Sequence, residues 1–512
     1  MNPTNHFHGC CGAASCGACP SSGVARRSFL TGMGAAAALA VPLGASEQSK
    51  DPLRQQPIQM ALRVQPVLLY STPARRNVGS WREWGGIQTE QDASAEKERI
   101  GKELSHMKTG ANFPIEILPL VGVKDDATAA KVAAADHDVT LVYAAGAGAK
   151  LIELLTPPSK YNLIFLRHRS GPVYLWYEIA HPRYLRKTVD QYGQPGMDVD
   201  DVIVDSHAEI LYRLRALAAL KNTLGKRVVC LGGPSGWGAG GRKAPDLARE
   251  RWKLDLKTVG YPELGERLKR ARANEALVKK CNADADRYLK QKGTKLETGR
   301  EFVERCFLLT EIFQDLLDEH KTDTMTIQAC MGTVMTVTET TACLPLSLLN
   351  DKGYMAFCES DFVVIPSGIL LHYISGTPVF LNDPTYPHDG IVTLAHCTAP
   401  RKMDGTNVEP ARILTHFESD FGASPKVEMR KGAAVTNIVP DFDLKKWTGF
   451  SGEIVDVPFL PICRSQIDVS IKGDTKTLLK EMGGFHWMTS YGDHLKEVQY
   501  AVKKMGVDWA KV

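Results

Sequence analysis

Two carboxylates and one imidazole in the C-terminal part of the chain are the side chains best suited to chemistry. Glu359 and Asp383 stand at the ends of two apolar runs, and His486 follows later in GGFHWMTSYGDH. A carboxylate within an apolar element is costly to desolvate without a partner, so a bound cation or substrate would account for both acidic residues. His486 would complete such a metal site. The three residues together predict a divalent-metal enzyme that acts on a polyhydroxylated substrate.

The elements that must position these residues begin with an alternating pattern over residues 61–224. Apolar runs predict buried strands, and charged or Ala-rich amphipathic segments between them predict helices; the runs are PVLLY, FPIEILPL, VTLVYAA and YNLIFLR. This alternation is typical of a parallel α/β sheet. A second α/β unit is predicted over residues 225–324, beginning with the apolar run KRVVCL.

From residue 325 onwards, short β-branched runs separated by turn signals predict a β-rich domain over residues 325–512 that ends in a helix. The predicted fold class is therefore α/β, with two Rossmann-like parallel-sheet domains followed by a β-rich, barrel-like C-terminal domain. The loop GGPSGWGAGGRKAP contains GWGAGG over residues 236–241, which matches GxGxxG, but this string does not directly follow the apolar run KRVVCL, and the loop lacks the Walker Lys-Ser/Thr, so we do not interpret it as a nucleotide fingerprint. We interpret it as a flexible loop. Whether it borders a cleft stays open at this point.

The N-terminal residues 1–45 differ from the rest of the chain. Arg26 and Arg27 precede an Ala-rich apolar run and a small-residue cleavage site, as in a twin-arginine export signal. Residues 46–60 are polar and predict a linker. The alternative is an uncleaved N-terminal tail. The apolar run is shorter than the ~20 residues that a membrane span needs, so we expect no stable membrane anchor. The twin-arginine signal predicts a periplasmic or extracellular location.

Charge and cysteine content limit the possible functions. The net charge is +4, of which Arg26 and Arg27 contribute two, so neither nucleic acid nor an anionic membrane is predicted as the main partner. Four of the twelve cysteines precede the twin arginines. The other eight are dispersed in mostly apolar contexts, and no CxxC pair among them indicates structural zinc.

Two motifs resemble the L-fucose isomerase family, which is related to the L-arabinose isomerases. The first is the block GYMAFCESD over residues 353–361, followed by SGTPVFLNDPTY, which contains Asp383; the second is His486 in HWMTSYGDH. The resemblance is strongest over residues 325–510. It implies that Glu359, Asp383 and His486 hold one divalent cation, Mn²⁺ above all, and that the protein is a homo-oligomer.

The same resemblance implies a reaction. The family interconverts an aldose and a ketose through a cis-enediol, with a proton moved between C1 and C2. A C–H bond beside a carbonyl is weakly acidic, so a Lewis acid must take up developing charge while a carboxylate removes the proton. Glu359 and Asp383 would serve as the acid/base pair as well as ligands. Which of them is the base stays open, because their titrations would be coupled.

Each of the three principal residues also has a structural interpretation. Glu359 would pair with an arginine, Asp383 before Pro384 suits a turn, and His486 would pack beside Trp487. Each residue, considered singly, is better explained by its structural interpretation. The three residues together, in the order found in the family, are better explained as a metal site.

Further residues are candidates for substrate binding. His396, at the end of a predicted strand in TLAHC, is a candidate sugar contact or a structural residue beside Cys397. Tyr386 and His388 lie in the turn after Asp383 and would contact the sugar or solvent. Asp361 follows Glu359 by two positions, so it would share a strand face with Glu359 or cap the next helix.

The leading hypothesis is a metal-dependent sugar isomerase, and the alternative is an exported carbohydrate-binding protein of the same fold without turnover. Family members are typically cytoplasmic, so the export signal favours an altered substrate or chemistry. The sequence contains neither GxSxG nor HExxH, so a hydrolase of either type is not predicted.

Overall fold

The computed structural model describes residues 59–174 and 194–512. The predicted export signal, residues 1–45, lies outside the described residues, as does most of the predicted linker, residues 46–60. Across the described ranges, every helix is too short or too polar to cross a lipid bilayer.

Twenty strands and thirteen α-helices occur in the described residues. The strands are β1 Leu62–Leu69, β2 Ile115–Ile117, β3 Val121–Val123, β4 Val139–Ala144, β5 Tyr161–Leu166, β6 Val202–Val204, β7 Arg227–Leu231, β8 Asp255–Val259, β9 Thr294–Leu296, β10 Thr324–Ile327, β11 Met355–Phe357, β12 Phe380–Pro384, β13 Ile391–His396, β14 Ala411–His416, β15 Phe421–Val427, β16 Ala434–Pro440, β17 Lys446–Asp456, β18 Ser465–Ser470, β19 Trp487–Tyr491 and β20 Asp508–Lys511. The helices are Glu90–Gly110, Asp126–Ala134, Ala149–Leu155, His207–Thr223, Ala244–Arg251, Tyr261–Ala273, Glu275–Leu289, Arg300–Glu319, Met335–Thr338, Cys343–Asp351, Ile365–Ser375, Thr475–Glu481 and Leu495–Lys504.

The first sheet is parallel and has the order β2-β1-β4-β5-β6, with β3 also paired to β1. Its central strands are mostly apolar and buried because helices cover the sheet; all six residues of β4 are buried. Thr89 begins the helix Glu90–Gly110 with a capping box, since its hydroxyl accepts from the Asp92 amide at 3.1 Å and Asp92 accepts from the Thr89 amide at 2.9 Å.

The second sheet is also parallel, with the order β11-β10-β7-β8. Strands β10 and β11 belong to it although most of their residues follow position 324, so the second sheet reaches into the range that the sequence assigned to the β-rich domain. Between these two strands, the Thr-rich run forms a π-helix, Cys330–Val334, and a short α-helix, Met335–Thr338, instead of strands.

The C-terminal part contains a closed barrel of six antiparallel strands. Its order is β16-β19-β12-β13-β18-β17, and β17 pairs back to β16. Strand β20 adds to the outside of β17, and β15, β14 and β9 form a separate small sheet. The predicted fold class, parallel α/β sheets followed by a barrel-like β domain, is confirmed.

A fully buried helix, Ile365–Ser375, joins the second sheet to the barrel. Its Gly368 allows close packing, because an added Cβ would lie 2.7 Å from Met488 Cε in the barrel and 2.8 Å from Phe357 Cε1 in the sheet. A larger residue at this position would push β11 and β19 apart. Strand β11 ends two residues before Glu359, and β19 begins directly after His486. The packing of this helix between the two strands therefore helps to set the distance between Glu359 and His486.

His372 of the same helix makes folding stability sensitive to acid. Burial lowers the pKa of His372 to about 4, so the folded protein keeps this imidazole neutral while the unfolded chain protonates it near pH 6.5. We therefore expect unfolding to become easier as pH falls from 6.5 towards 4, by an amount approaching about 3 kcal/mol from this group. Urea denaturation of His372→Leu should show a smaller loss over that interval, and an equal loss in both proteins would contradict the assignment.

Candidate metal and acid–base site

The candidate site begins at a strained turn after β11. Glu359 and Ser360 both have left-handed backbone conformations, with φ of 61° and 53°. Such a conformation costs about 1–3 kcal/mol for a residue with a side chain and persists only where neighbours hold it. Here the Gly-rich loop supplies the bonds: the Ser235 amide donates to the Ser360 carbonyl at 3.1 Å, and the Ser360 hydroxyl donates to the Gly233 carbonyl at 2.8 Å. The strained turn fixes the direction of the Glu359 side chain.

His486 lies at the centre of a cluster of three carboxylates. Its Nε2 is 3.2 Å from Glu359 Oε2 and 3.1 Å from Asp383 Oδ1, and its Nδ1 is 2.7 Å from Asp361 Oδ2. Strand pairing explains one of these contacts, because Asn382 of β12 stands opposite Trp487 of β19 and so brings Asp383 beside His486. The structure thus brings together Glu359, Asp383 and His486, which the sequence singled out from widely separated segments.

A second imidazole adjoins the cluster. His396 ends β13, where Ala395 pairs with Asp383 of β12, and its Nε2 is 3.6 Å from Glu359 Oε1. Its other ring nitrogen is 2.9 Å from the Thr398 hydroxyl. The candidate His396 therefore belongs to the site. It lies near Oε1 of Glu359, whereas His486 lies near Oε2.

The electrostatics of the cluster keep Glu359 ionised. Burial alone would raise the pKa of Glu359, but His396 and His486 hold it well below its usual range. Burial alone would lower the pKa of His486, but Asp361, Asp383 and Glu359 raise it to about 12. Burial likewise opposes protonation of His396, and Glu359 and Asp383 still raise its pKa to about 8. These raised pKa values favour the protonated forms of His396 and His486, whose positive charge offsets the negative charge of the neighbouring carboxylates.

Two buried atoms in the cluster lack a hydrogen-bond partner and would fit a metal ion. Asp383 Oδ1 and His486 Nε2 are 3.1 Å apart, yet neither has a partner in hydrogen-bond geometry. Neighbouring ligands of an octahedral divalent cation with bonds of about 2.1 Å stand about 3 Å apart, which matches this separation and that between Glu359 and His486. In the part of the chain that the structure describes, no group of acidic, His or Cys side chains already closes around one point.

Exposure differs across the cluster. The side chains of Glu359 and Asp383 are 27% and 28% exposed, whereas that of His486 is 1% exposed. The carboxylates thus face an accessible side, and the imidazole lies behind them. Carboxylate and imidazole donors suit a hard-to-borderline cation such as Mn²⁺, and three protein ligands leave positions for substrate oxygens.

Asp361 has a role that sequence reasoning did not assign to it. It is buried, its Oδ2 contacts His486 Nδ1, and its Oδ1 accepts from the amides of Trp237 and Val363, both at 3.0 Å. A carboxylate on one nitrogen of a metal-binding histidine fixes the ring and directs the other nitrogen to the metal. The spacing of two from Glu359 pointed to Asp361 but gave no indication of its partner His486.

Two candidate sugar contacts lie apart from this cluster. Tyr386 is 74% exposed, and His388 sits in the same turn with its Nδ1 3.1 Å from the Tyr386 carbonyl oxygen. Within the described ranges, no hydrogen bond or ion pair joins either side chain to Glu359, Asp383 or His486. Their proposed contact with substrate stays a prediction.

The Gly-rich loop places an aromatic side chain at the site. Besides the bond from its amide to Asp361, Trp237 stacks on Phe485 with ring centroids 4.0 Å apart, and its indole lies edge-on to His486 at 6.2 Å. Trp237 is 42% exposed, so one ring surface remains open to a ligand. The structure thus places this loop at the border of the candidate site.

Comparison with known proteins gave no assignment, because neither a family model nor a curated protein matches the chain.

Proposed function

We propose that this protein is a metal-dependent sugar isomerase that interconverts an aldose and a ketose through a cis-enediol. The observation that supports it best is the meeting of Glu359, Asp383 and His486 at separations of 3.1–3.2 Å. The resemblance of these segments to the L-fucose isomerase family led to the same three residues. The proposed cofactor is Mn²⁺, and the proposed substrate is a small sugar whose identity the site does not define.

In the proposed mechanism, Asp361 holds His486 in one orientation, and the strained turn aims Glu359. A cation held by Glu359, Asp383 and His486 would supply Lewis-acid stabilisation of charge that develops on substrate oxygens. One of the two carboxylates would remove the proton from C2 of the aldose and return it at C1. His396, beside Glu359, would donate a hydrogen bond to that carboxylate or to a substrate hydroxyl.

The ionised state of Glu359 suits this role. A general base must be deprotonated at the working pH, and His396 and His486 hold the pKa of Glu359 well below its usual range, which keeps Glu359 ionised but makes it a weaker base. The exposed edges of Glu359 and Asp383 give a substrate access to both carboxylates. The buried Asp361 and His486 provide the fixed support that such a pair needs.

Trp237 is expected to contribute to substrate binding by stacking against an apolar face of the sugar. Trp237→Ala should raise KM roughly 2- to 10-fold with little change in kcat, because an aromatic contact of this kind contributes about 0.5–1.5 kcal/mol. Manganese affinity should not change. Steady-state kinetics test this, with Trp84→Ala as control because Trp84 is 73% exposed in the first α/β domain. Equal KM values for Trp237→Ala and wild type would contradict the role.

Titration calorimetry and metal analysis of the purified protein test the proposed site. We expect one Mn²⁺ per chain in the wild type and loss of that binding in His486→Ala. His388→Ala is the control, since His388 is exposed and lies in the turn after Asp383. Wild-type protein that binds no divalent metal would contradict the proposal. Metal and sugar binding without conversion would instead support the alternative, a carbohydrate-binding protein without turnover.

We also propose export by the twin-arginine route to the periplasm or beyond, and assembly into a homo-oligomer. Fractionation of cells that express the full chain and its Arg26→Lys, Arg27→Lys double variant tests the first proposal. Light scattering of the purified protein tests the second.

A further inference from the structure

Five of the cysteines that are dispersed along the sequence lie near one another beside the candidate site. They come from the second sheet and the barrel, and their positions are Cys330 at the start of the π-helix, Cys343 at the start of the helix Cys343–Asp351, Cys358 after β11, Cys397 after β13 and Cys463 before β18. Electrostatic and hydrogen-bond contacts link Cys397 to Cys343 and Cys463, and Cys330 to Cys358. We call this group the thiol cluster.

Cys397 is the centre of the larger subgroup. The pairing of His396 in β13 with Ser465 in β18 brings the residues just beyond β13 next to those just before β18. The Arg464 amide accordingly donates to Cys397 Sγ at 3.5 Å, and the neighbouring Cys463 thiol also contacts that sulfur. Hydrogen bonds from the thiols of Cys343 and Cys463 lower the pKa of Cys397 and raise the pKa of Cys463, so Cys397 is the one of this pair that more readily forms a thiolate.

The two thiols next to Cys397 differ in access to solvent. Cys343 is buried, as is Cys397 itself, whereas Cys463 is partly exposed. Cys463 lies in residues 457–464, a segment without regular structure that carries the exposed Phe459 and Leu460. A small reagent would therefore reach Cys463 first, and Cys397 would be the adjacent thiol able to react next.

We propose that Cys397 and Cys463 form a reversible disulfide by thiol–disulfide exchange with a small-molecule disulfide. First, the Cys463 thiol loses its proton, and its sulfur attacks one sulfur of the reagent, breaks the S–S bond and releases one thiol, leaving a mixed disulfide on Cys463. The Cys397 thiolate then attacks Cys463 Sγ and releases the second thiol. The two cysteines are oxidised, the reagent is reduced to two thiols, and the two protons leave with them.

The alternative, a soft metal ion on the cluster, receives less support. A disulfide needs only two cysteines whose backbones lie close together, and the pairing of β13 with β18 brings Cys397 and Cys463 next to each other. The proposed export would also take the protein to a compartment in which disulfides persist.

The location of this pair connects it to the candidate site. Cys397 directly follows His396, whose ring lies 3.6 Å from Glu359. A bond to Cys463 would restrain the end of β13 and therefore the position of His396. This consequence for activity rests on the proposed function, whereas disulfide formation itself does not.

Peptide mapping of the purified full-length protein tests the proposal. The protein is incubated with oxidised glutathione, free thiols are alkylated, and a nonreduced digest is analysed by mass spectrometry. We expect a linked pair of peptides containing Cys397 and Cys463, with the loss of two hydrogen atoms, which disappears after treatment with dithiothreitol. Cys463→Ser should abolish this species, and Cys281→Ser, which removes a buried cysteine outside the thiol cluster, should retain it.

Three results would overturn the proposal. The first is that Cys397 and Cys463 both remain free after oxidation. The second is that Cys330 and Cys358 are linked instead, and the third is that bound zinc protects the thiols. Because the mapping requires neither metal nor turnover, its result is separate from that of the isomerase assays. A linked pair in an inactive protein would leave the disulfide supported and the proposed function contradicted.

Discussion

Glu359→Gln and Asp383→Asn are each expected to lower kcat/KM by about 10²- to 10⁴-fold, the range for loss of a general acid or base. Each change keeps the size of the side chain but removes a negative charge and a proton acceptor. Each also removes an anionic ligand, so Mn²⁺ should bind more weakly. Kinetics at saturating Mn²⁺ separate the two effects, because excess metal restores occupancy but not proton transfer.

Asp389→Asn provides a matched control for this experiment. Asp389 is exposed in the turn that follows Asp383, and its left-handed backbone suits Asn. This variant should keep the activity and metal affinity of the wild type. Conversion that survives both Glu359→Gln and Asp383→Asn would remove these two carboxylates from the proposed mechanism.

Asp361→Asn is expected to weaken Mn²⁺ binding by about 10- to 100-fold, as replacement of carboxylates that orient metal ligands does elsewhere. The amide group of Asn would still accept from the Trp237 or Val363 amide through its oxygen. Its nitrogen would replace the oxygen that lies 2.7 Å from His486 Nδ1. The ring would lose the partner that fixes its orientation, and His486 Nε2 would no longer be held towards Asp383.

Calorimetric titration of Mn²⁺ into folded Asp361→Asn checks this expectation, with thermal unfolding measured in parallel. A matched control is Asp468→Asn, because Asp468 accepts a hydrogen bond of 2.6 Å from the Thr393 hydroxyl in the barrel without contacting His486. A positioning role predicts loss of affinity only in Asp361→Asn. Similar losses in both variants would indicate a general effect on the barrel.

Much of the fold was predictable because its local signals agree with its tertiary structure. The run VTLVYAA is mostly apolar and forms β4, which is buried on both faces. The run TIQACMGTVMTVTET has the same β-branched character, yet only its first two residues belong to β10, and residues 330–338 are helical. Strand propensity depends on neighbours that a strand can pair with, and sequence alone does not supply them.

The candidate site was predictable in its principal residues but not in their support. Glu359, Asp383 and His486 stood out because polar groups at the ends of apolar runs need partners. The role of Asp361 depends on a contact across 125 positions of sequence, and the thiol cluster depends on strand pairing between β13 and β18. Long-range register of this kind leaves no local pattern. The predicted domain limits and the predicted substrate contacts of Tyr386 and His388 remain predictions.

The most direct test of the central claim is NMR of the purified protein incubated with Mn²⁺ and a panel of aldoses in deuterated water. The proposed mechanism predicts that at least one aldose is converted into its ketose only in the presence of a divalent metal. Chelation should stop the conversion, and renewed Mn²⁺ should restore it. An unchanged panel with Mn²⁺ bound, or conversion that continues after complete chelation, would contradict the proposed metal-dependent isomerisation.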